Sequence, residues 1–427
     1  MNMFPTSFFP VVVLAASYLV SVLSFHFVPH RFTISRSPRL NHVFLSGKKS
    51  LSSEDINTSI RPLMELSAAY FTSQALSAFV KLGIADVIGD ENLSLEQICT
   101  KLGTNVNKDA LQRTLRLLES AGILEYSEGN CESEWGFFSL SNTGALLQTQ
   151  VENQPSMACG VLHWTEEPLW NAWMRLPEHI MGKRNGEHYD DNASANNPDP
   201  FSRFNGISSD CYYNAETQPE SLQYANDFVR FISNAEVDSM VSSWDWSQYA
   251  NKTILDIGGY DGRVLKAIAS KFSNVHFTMK SLDLPQIVEG VKKRKVDGTE
   301  MKLVELIGGD VFDPSSLPSS HVIIMKHFLD RCMWTEEQTV KILQICRDKI
   351  PTDGQIILVE AVIPDFGRVT TENRMEVAMD ALYMIVGRER QRTLAEWRTL
   401  TVRANLNIKD IIRTTSASSS LIILSRD

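Results

Sequence analysis

The sequence predicts an α/β protein, in which a mostly helical N-terminal unit precedes a doubly wound sheet. From Thr253 onwards, short apolar runs alternate with apolar residues at helical spacing, a pattern typical of parallel strands covered by helices. Between residues 56 and 150 the helical spacing dominates, and a two-stranded hairpin follows it. The chain has 427 residues, 43% of them hydrophobic and 22% charged, so it can bury the cores of two or three domains.

Charge and cysteine content argue against several functions. The formal net charge is −10, which argues against a general nucleic-acid binder because such proteins neutralise phosphates with basic residues. The six cysteines include no CxxC pair, so the sequence predicts neither a disulfide framework nor a zinc site. We therefore expect reduced thiols and no bound metal.

Residues 1–50 are predicted to be a targeting presequence. No charged side chain precedes Arg31, and residues 8–25 are nearly all apolar or small, which fits the hydrophobic part of a signal peptide. An uncleaved membrane anchor is the alternative. Residues 30–39 are basic and hydroxylated like a transit peptide, and the join at Phe25 resembles the two-part presequences of algal plastids. We expect entry into the secretory route, with such a plastid as one destination.

Residues 56–150 are predicted to form a winged-helix unit. A first helix would place Leu66 and Phe79 inward, and Ser94 begins a capping box for a second helix. A third helix and two short strands within residues 123–140 complete the three helices and the wing. Winged helices often bind DNA, so the charge of this unit decides how the prediction is interpreted.

The predicted winged-helix unit is acidic. Between residues 60 and 140 it has six Lys and Arg against eleven Asp and Glu. A surface of that charge is a poor ligand for phosphates. The sequence therefore favours protein interaction or dimerisation for this unit over DNA binding.

Residues 151–250 are predicted to be a helical linker that also lines a substrate site. Trp164, Trp170 and Trp173 recur at helical spacing, and residues 224–246 form a second amphipathic pattern. Such an aromatic stripe packs in a core more often than in a pocket. Both possibilities stay open at this stage.

The remaining chain, residues 251–427, supplies the strands of the sheet. A helix is predicted over residues 335–350, and the last two strands are close enough to pair as an antiparallel edge. The predicted strands are Thr253–Ile257 and residues 275–282, 301–306, 322–325, 355–362, 406–413 and 419–425.

Glycines and charged residues follow successive strands of this sheet. Gly258 opens a glycine turn between the first strand and a helix, which brings backbone close to a ligand at the carboxyl edge of the sheet. Asp283, Asp310 and Lys326 come at the ends of the next three strands. An acid after the second strand can accept both hydroxyls of a ribose. Each charge alone fits a solvated loop, but the series favours a nucleotide site.

These residues lie in motifs that resemble the plant-type small-molecule O-methyltransferases, a family that includes caffeic acid, flavonoid and hydroxyindole O-methyltransferases. The resemblance spans residues 56–427, with the motifs in the family's order. It rests on LDIGG from Leu255, DLP from Asp283, GGDVF from Gly308, MKHFL from Met325, LVEAVIP from Leu358 and GRERQRTLAEW from Gly387.

The resemblance implies a winged-helix dimerisation domain, a Rossmann-like domain that binds S-adenosylmethionine, and a homodimer. It also implies which residues contact the cofactor. These are Gly258, Asp283, Asp310, Val311 and Lys326.

The resemblance assigns the catalytic residues less completely. Family members use a histidine base, oriented by two acids, a few residues after the lysine. Counting from Lys326 puts Asp330 at that position, while Glu360 and Glu389 match the acids. A second departure is Tyr260, which replaces a third glycine of the turn.

Together these features predict an S-adenosylmethionine-dependent O-methyltransferase that acts on a small, hydroxylated and aromatic molecule. Three routes could replace the missing histidine: Asp330 with a pKa raised by burial, His327 after a rotation of the segment, or an acceptor acidic enough to need no base. Two other functions stay open. One is a non-catalytic dimer of the same fold, and the other is a divergent member that uses the cofactor for different chemistry.

Overall fold

The structure is a computed structural model, and it describes most of the chain after the predicted presequence. Residues 1–49 lie outside the described residues, and so does the targeting prediction that rests on them. Within the described ranges, no helix has the length and apolarity needed to cross a membrane. These ranges are residues 50–129, 136–151, 156–181, 198–294, 303–329, 331, 333–415 and 419–426.

The chain divides into two compact units at Ser67, and each is described by itself. The first unit is the beginning of helix α1 (Ser53–Lys81). The sequence predicted that Leu66 points inward, but its side chain is 73% exposed, and Leu63 is 65% exposed. Helical spacing predicts an apolar stripe without predicting what covers it, so this prediction was wrong for the chain taken alone.

The second unit begins with helices and a small sheet. Phe79, Ile98, Leu115 and Leu118 are fully buried in one core. The capping box at Ser94 is present, and the predicted hairpin forms, although β3 pairs antiparallel with both β1 and β2. The elements are α2 (Ile84–Ile88), β1 (Leu93–Ser94), α3 (Leu95–Leu102), α4 (Lys108–Ser120), β2 (Leu124–Ser127), β3 (Phe137–Leu140) and α5 (Asn142–Ala145).

Short helices and one long helix connect this part to the large sheet. The predicted aromatic stripe is not one buried face, because Trp164 and Trp170 are half-buried and Trp173 is 39% exposed. Three-residue and four-residue 3₁₀ turns lie at Trp173–Arg175 and Trp246–Tyr249. The helices are α6 (Ala158–Thr165), α7 (Glu167–Ala172), α8 (Leu176–Ile180), α9 (Pro200–Asn205), α10 (Ser209–Tyr212) and α11 (Pro219–Ser243).

A seven-stranded sheet forms the rest of the protein. Its strand order is β6-β5-β4-β7-β8-β10-β9, with β4 to β8 parallel and the last two strands antiparallel, as the sequence predicted. Two buried apolar clusters cover its two faces. The strands are β4 (Thr253–Ile257), β5 (Thr278–Asp283), β6 (Glu305–Gly308), β7 (Val322–Lys326), β8 (Gln355–Ala361), β9 (Leu406–Arg413) and β10 (Ser419–Arg426).

The helices of this domain follow their strands and set the edge where a ligand can bind. They are α12 (Arg263–Lys271), α13 (Pro285–Arg294), α14 (Glu336–Lys349), α15 (Arg374–Ile385) and α16 (Leu394–Arg403). A 3₁₀ turn lies at Pro314–Ser316. Because five parallel strands end side by side, the residues that follow them share one edge.

Candidate active site

The structure gathers the predicted cofactor residues at the carboxyl edge of the sheet. Gly258 follows β4, Asp283 ends β5, Asp310 follows β6, and Lys326 ends β7. Glu360 lies one residue before the end of β8. These five strands are neighbours in the sheet, so the sequence prediction of one shared edge is confirmed.

The glycine turn after β4 leaves room only for backbone. Gly258 has φ +72°, and a Cβ there would lie 2.7 Å from the Phe328 ring. At Gly259 a Cβ would lie 2.5 Å from the Asp256 carboxylate. Glycine is therefore required at both positions by contact and, at Gly258, also by conformation.

Tyr260 occupies the turn in the left-handed conformation, with φ +50°. A side chain there is strained, because Cβ approaches the following carbonyl oxygen. Its ring is 39% exposed, and its N–H donates to Asp283 Oδ2 at 3.1 Å. The substitution of glycine by tyrosine is thus accommodated by strain, while the backbone still links the turn to the acid of β5.

The two acids at the β5–β6 side of the edge are held by backbone hydrogen bonds. Asp283 also accepts a hydrogen bond from Leu284 N–H at 2.8 Å. Asp310 is exposed and accepts from Phe312 N–H at 2.9 Å, while Val311 between them is buried. Both carboxylates therefore have fixed orientations and further acceptor capacity.

A cavity of about 250 Å³ lies between the glycine turn and helix α11, and Gly258, Gly259, Ser233 and Lys326 are among its lining residues. Asp256 also lines it, is 1% exposed, and has one oxygen without a hydrogen-bond partner among the described residues. Burial raises the pKa of Asp256 to about 7; Lys326 lowers it, and nearby acids raise it further. A buried acceptor without a partner on a cavity wall is a position for a ligand donor.

Glu236 joins two cations at the other side of this cavity. It comes from α11, is 2% exposed, and forms an ion pair with Lys326 Nζ. Its two oxygens also lie 2.8 and 3.0 Å from His327 Nε2. Burial alone would raise the pKa of Glu236, but His327 and Lys326 hold it at about 2. Glu236 is therefore an ionised carboxylate shared by both cations.

The other nitrogen of His327 faces a second acid. Nδ1 lies 3.8 Å from Glu360 Oε2, and Glu360 Oε1 accepts from Leu329 N–H at 2.8 Å. Desolvation lowers the pKa of His327, but Glu236 and Glu360 outweigh it and raise the pKa to about 9. His327 also has φ +48° and is 47% exposed at its side chain. At neutral pH the ring is therefore an imidazolium between two carboxylates.

The predicted catalytic set is only partly described. Asp330 lies outside the described residues, so its role as base stays a prediction. Glu360 lies at the edge, as predicted. Glu389 follows α15 with an exposed side chain and has no hydrogen bond or ion pair with a described residue; its role also stays a prediction.

Sequence reasoning missed Glu236. It lies one turn after Ile232 and one turn before Met240, so it occupies the apolar face of the helix. An acid on such a face is seldom buried without a partner. This was the available signal, and it did not indicate which cations the acid would meet.

The residues at this edge fit S-adenosylmethionine. The side-chain-free positions Gly258 and Gly259, an unsatisfied buried carboxylate and a cavity lie together, and acids with free acceptor capacity end β5 and follow β6. Asp283 and Asp310 would hold the adenosine, and the turn at Gly258 would pack against the remainder. When bound, this cofactor supplies a methyl group activated by a positively charged sulfur.

Two family comparisons cover both parts of the chain. The O-methyltransferase domain matches residues 187–406, more than half of the chain, and the O-methyltransferase dimerisation domain matches residues 64–150. The chain belongs to the O-methyltransferase family. It is therefore an enzyme of a family that uses S-adenosylmethionine and acts on small molecules.

Relatives of this O-methyltransferase include both O- and N-methyltransferases of plants. Nicotinate N-methyltransferase 1 of Arabidopsis thaliana is 30% identical over 73% of this chain and 81% of its own length. The myricetin O-methyltransferase of Catharanthus roseus is 28% identical over 77% of this chain and 87% of its own. The resemblance to plant-type small-molecule O-methyltransferases is thus confirmed.

Solved structures confirm the fold. A methyltransferase of calicheamicin biosynthesis, bound to S-adenosylhomocysteine, has a TM-score of 0.67 at 22% identity and covers 88% of this chain and 100% of its own. Human N-acetylserotonin methyltransferase in complex with S-adenosylmethionine has a TM-score of 0.58 at 17% identity, covering 89% and 99%.

Proposed function

We propose that this protein transfers the methyl group of S-adenosylmethionine to a hydroxyl of a small aromatic molecule. The observation that supports this most directly is the convergence of Gly258, Asp283, Asp310 and Lys326 at one edge, beside an unsatisfied Asp256. Relatives named as O-methyltransferases of myricetin and of 3'-hydroxy-N-methyl-(S)-coclaurine agree with an aromatic acceptor. Relatives that methylate nicotinate make a ring nitrogen the competing acceptor.

The test is methyl transfer to a panel of phenols and pyridine carboxylates, read by mass spectrometry. We expect a methyl ether from at least one phenol. The Asp283→Ala variant should lose product formation at limiting cofactor because its cofactor affinity falls. Methylation of pyridine carboxylates alone would replace the hydroxyl acceptor with a ring nitrogen.

Proton removal from the hydroxyl is assigned, in this proposal, to His327. Glu360 contacts its Nδ1, as an acid that orients a base should. His327 is next to Lys326, which lines the cavity. The hydrogen bond between Glu236 and Nε2 of His327 must break before that nitrogen can accept a proton. Glu236 then still has Lys326 as its ion-pair partner.

The protein is also proposed to act as a homodimer. Its dimerisation domain includes the end of an apolar stripe on α1 that is exposed in the single chain at Ile60, Leu63, Met64 and Leu66. Leaving that much apolar surface in water is unfavourable. A second copy of the same helix would bury it.

A non-catalytic dimer is the second candidate. It is favoured by one observation: Glu236 occupies Nε2 of His327, the nitrogen that the proposed proton transfer needs. Calorimetry with S-adenosylhomocysteine, followed by the phenol panel, separates the candidates. Cofactor binding without any product from the panel supports the non-catalytic dimer.

A further inference from the structure

A partly buried histidine outside the cofactor edge has the geometry of a recognition group. His163, near the end of α6, lies with its Nδ1 3.0 Å from Glu166 Oε1. The same oxygen accepts a hydrogen bond from the Tyr213 hydroxyl at 2.8 Å. The side chains of His163 and Glu166 are 16% and 10% exposed, so most of the group is shielded from solvent.

This arrangement fixes which His163 nitrogen is available. A carboxylate oxygen only accepts hydrogen bonds, so Nδ1 carries the hydrogen that points to Glu166. Burial, and then Glu166, raise the pKa of Tyr213, which therefore stays a hydroxyl donor. Nε2 has no hydrogen-bond partner among the described residues. In the neutral ring, Nε2 is an acceptor in a fixed direction.

The surroundings of His163 are aromatic. Its ring meets Tyr213 edge-on with centroids 5.3 Å apart, and Phe228 lies at 6.1 Å. Trp164 also packs edge-on against Phe228 at 4.8 Å. Aromatic walls with one directed polar atom are typical of sites that bind a planar ring and read one of its substituents.

Helix α11 links this group to the cofactor edge. Gly160 of α6 is so close to Phe228 that a Cβ on it would lie 2.6 Å from the ring. Five residues further along α11, Ser233 lines the cavity beside the glycine turn. Five residues of helix rise about 7.5 Å, so the aromatic group at Phe228 lies within two helical turns of the cavity.

We propose that His163 binds the acceptor, through Nε2, at a hydrogen-bond donor on the end of the molecule opposite the methylated oxygen. Glu166 and Tyr213 are positioning residues that orient His163. The acceptor class is therefore an aromatic molecule that carries a second hydroxyl at a distance from the methylated one. This rests on the proposed methyl transfer to an aromatic hydroxyl.

The experiment measures equilibrium binding of three naphthols to the full chain loaded with S-adenosylhomocysteine, by quenching of tryptophan fluorescence. 2,6-Dihydroxynaphthalene has hydroxyls on both rings, 2,3-dihydroxynaphthalene has both on one ring, and 2-naphthol has one. We expect the 2,6-isomer to bind about tenfold more tightly than the other two, well above its statistical factor of about two. Because binding is measured, the result does not depend on turnover.

Variants test which residues give the ratio between the affinity for the 2,6-isomer and the affinity for the other two naphthols. His163→Phe keeps the ring contacts with Tyr213 and Phe228 but should reduce the ratio to the statistical factor. His163→Gln provides a second variant if His163→Phe does not fold. Tyr213→Phe should reduce the ratio partly, whereas Tyr212→Phe, which removes a neighbouring hydroxyl, should keep it. Affinity for S-adenosylhomocysteine should be unchanged in all four.

Three results would overturn the proposal: equal binding of the three naphthols, no binding of any of them, or an unchanged ratio in the His163 variants. The proposed methyl transfer fails by a different readout, the absence of any methyl ether from the phenol panel. If the protein discriminates the naphthols but forms no methyl ether, the recognition site at His163 stands and the proposed methyl transfer is rejected.

Discussion

The carboxylate of Glu236 lies 2.8 Å from Nε2 of His327, although the two residues are 91 positions apart in the chain. Glu236 comes from the helix before the sheet, and His327 follows β7, the central strand of the seven. The same carboxylate also pairs with Lys326. One buried acid therefore sets the protonation of the candidate base and the charge of a cavity-lining lysine.

The first prediction concerns stability and pH. The pKa of His327 is raised to about 9 in the fold, against ~6.5 in the unfolded chain. The charged ring therefore stabilises the fold fully below ~6.5, and this contribution is lost as the pH rises through about 9. Because the ring is half-exposed, we expect a loss of about 1 kcal/mol. Urea unfolding across this range should show it.

The matched variant is His327→Gln, which should remove this part of the pH dependence. Asp256, with a pKa raised to about 7, titrates in the lower part of the range. The difference between wild type and His327→Gln therefore isolates the histidine. Identical pH profiles for the two proteins would show that His327 is not held as a cation.

The second prediction concerns Glu236 itself. Glu236→Gln leaves Lys326 and His327 without their shared carboxylate, and breaking a buried ion pair costs about 3–5 kcal/mol. Asp238→Asn, two residues further on the exposed side of α11, should change the free energy of unfolding by less than about 0.5 kcal/mol. Equal stability of the two variants would mean that the charge cluster contributes little.

The third prediction concerns cofactor binding. Asp283→Ala should weaken binding of S-adenosylmethionine by about 2–3 kcal/mol, or about 30- to 150-fold, as for loss of a charged hydrogen-bond partner. Asp313→Ala is the control, because Asp313 only caps a short turn near the same edge. Calorimetry gives both affinities. Equal affinity of Asp283→Ala and wild type would remove Asp283 from the site.

The fourth prediction concerns the strained turn. Tyr260→Gly removes a side chain from a position with φ +50°, so the cofactor can approach the backbone more closely. We expect tighter cofactor binding. The free energy of unfolding should change little, because relief of strain stabilises the fold and the larger conformational entropy that glycine loses on folding destabilises it, each by about 1 kcal/mol. Tyr260→Ala keeps the Cβ and removes the ring, so it separates the effect of the ring from that of the Cβ. Weaker binding in both variants would show that the tyrosine ring holds the cofactor.

The fifth prediction concerns assembly. Leu63→Asp combined with Leu66→Asp places charge on the exposed stripe of α1 and should give a monomer in light scattering. Arg61→Asp, on the opposite side of the helix and 87% exposed, should leave the dimer intact. A wild-type monomer at tens of micromolar, roughly where micromolar affinities still associate, would contradict the dimer.

Sequence reasoning predicted the sheet and its edge because periodic burial and glycine spacing are local signals. It placed β6 at residues 301–306, whereas the strand is Glu305–Gly308, since apolar runs do not mark where pairing begins. It could not predict the Glu236–His327 contact, which depends on how α11 packs. It also could not predict that Leu66 is exposed, because helical spacing contains no information about a partner.

The last prediction concerns the base, and the pH dependence of turnover separates the three routes. If His327 accepts the proton, it must first lose its own, so turnover should rise with pH with a midpoint at about 9, where half of the rings are neutral. His327→Gln should then lower turnover by about 10²–10⁴-fold with unchanged cofactor affinity. Glu360→Gln should shift the midpoint to lower pH, because one of the acids that raise the pKa is removed.

The other two routes give different profiles for the same measurement. A base at Asp330 whose pKa lies below neutrality would already be ionised, so turnover would vary little between roughly pH 7 and pH 9. Asp330→Asn would then be the inactive variant. An acceptor that ionises by itself would make the midpoint follow the pKa of each phenol tested, with both variants active. A midpoint near 9 that stays constant across phenols of different acidity, and disappears in His327→Gln, is therefore the result that only a histidine base gives.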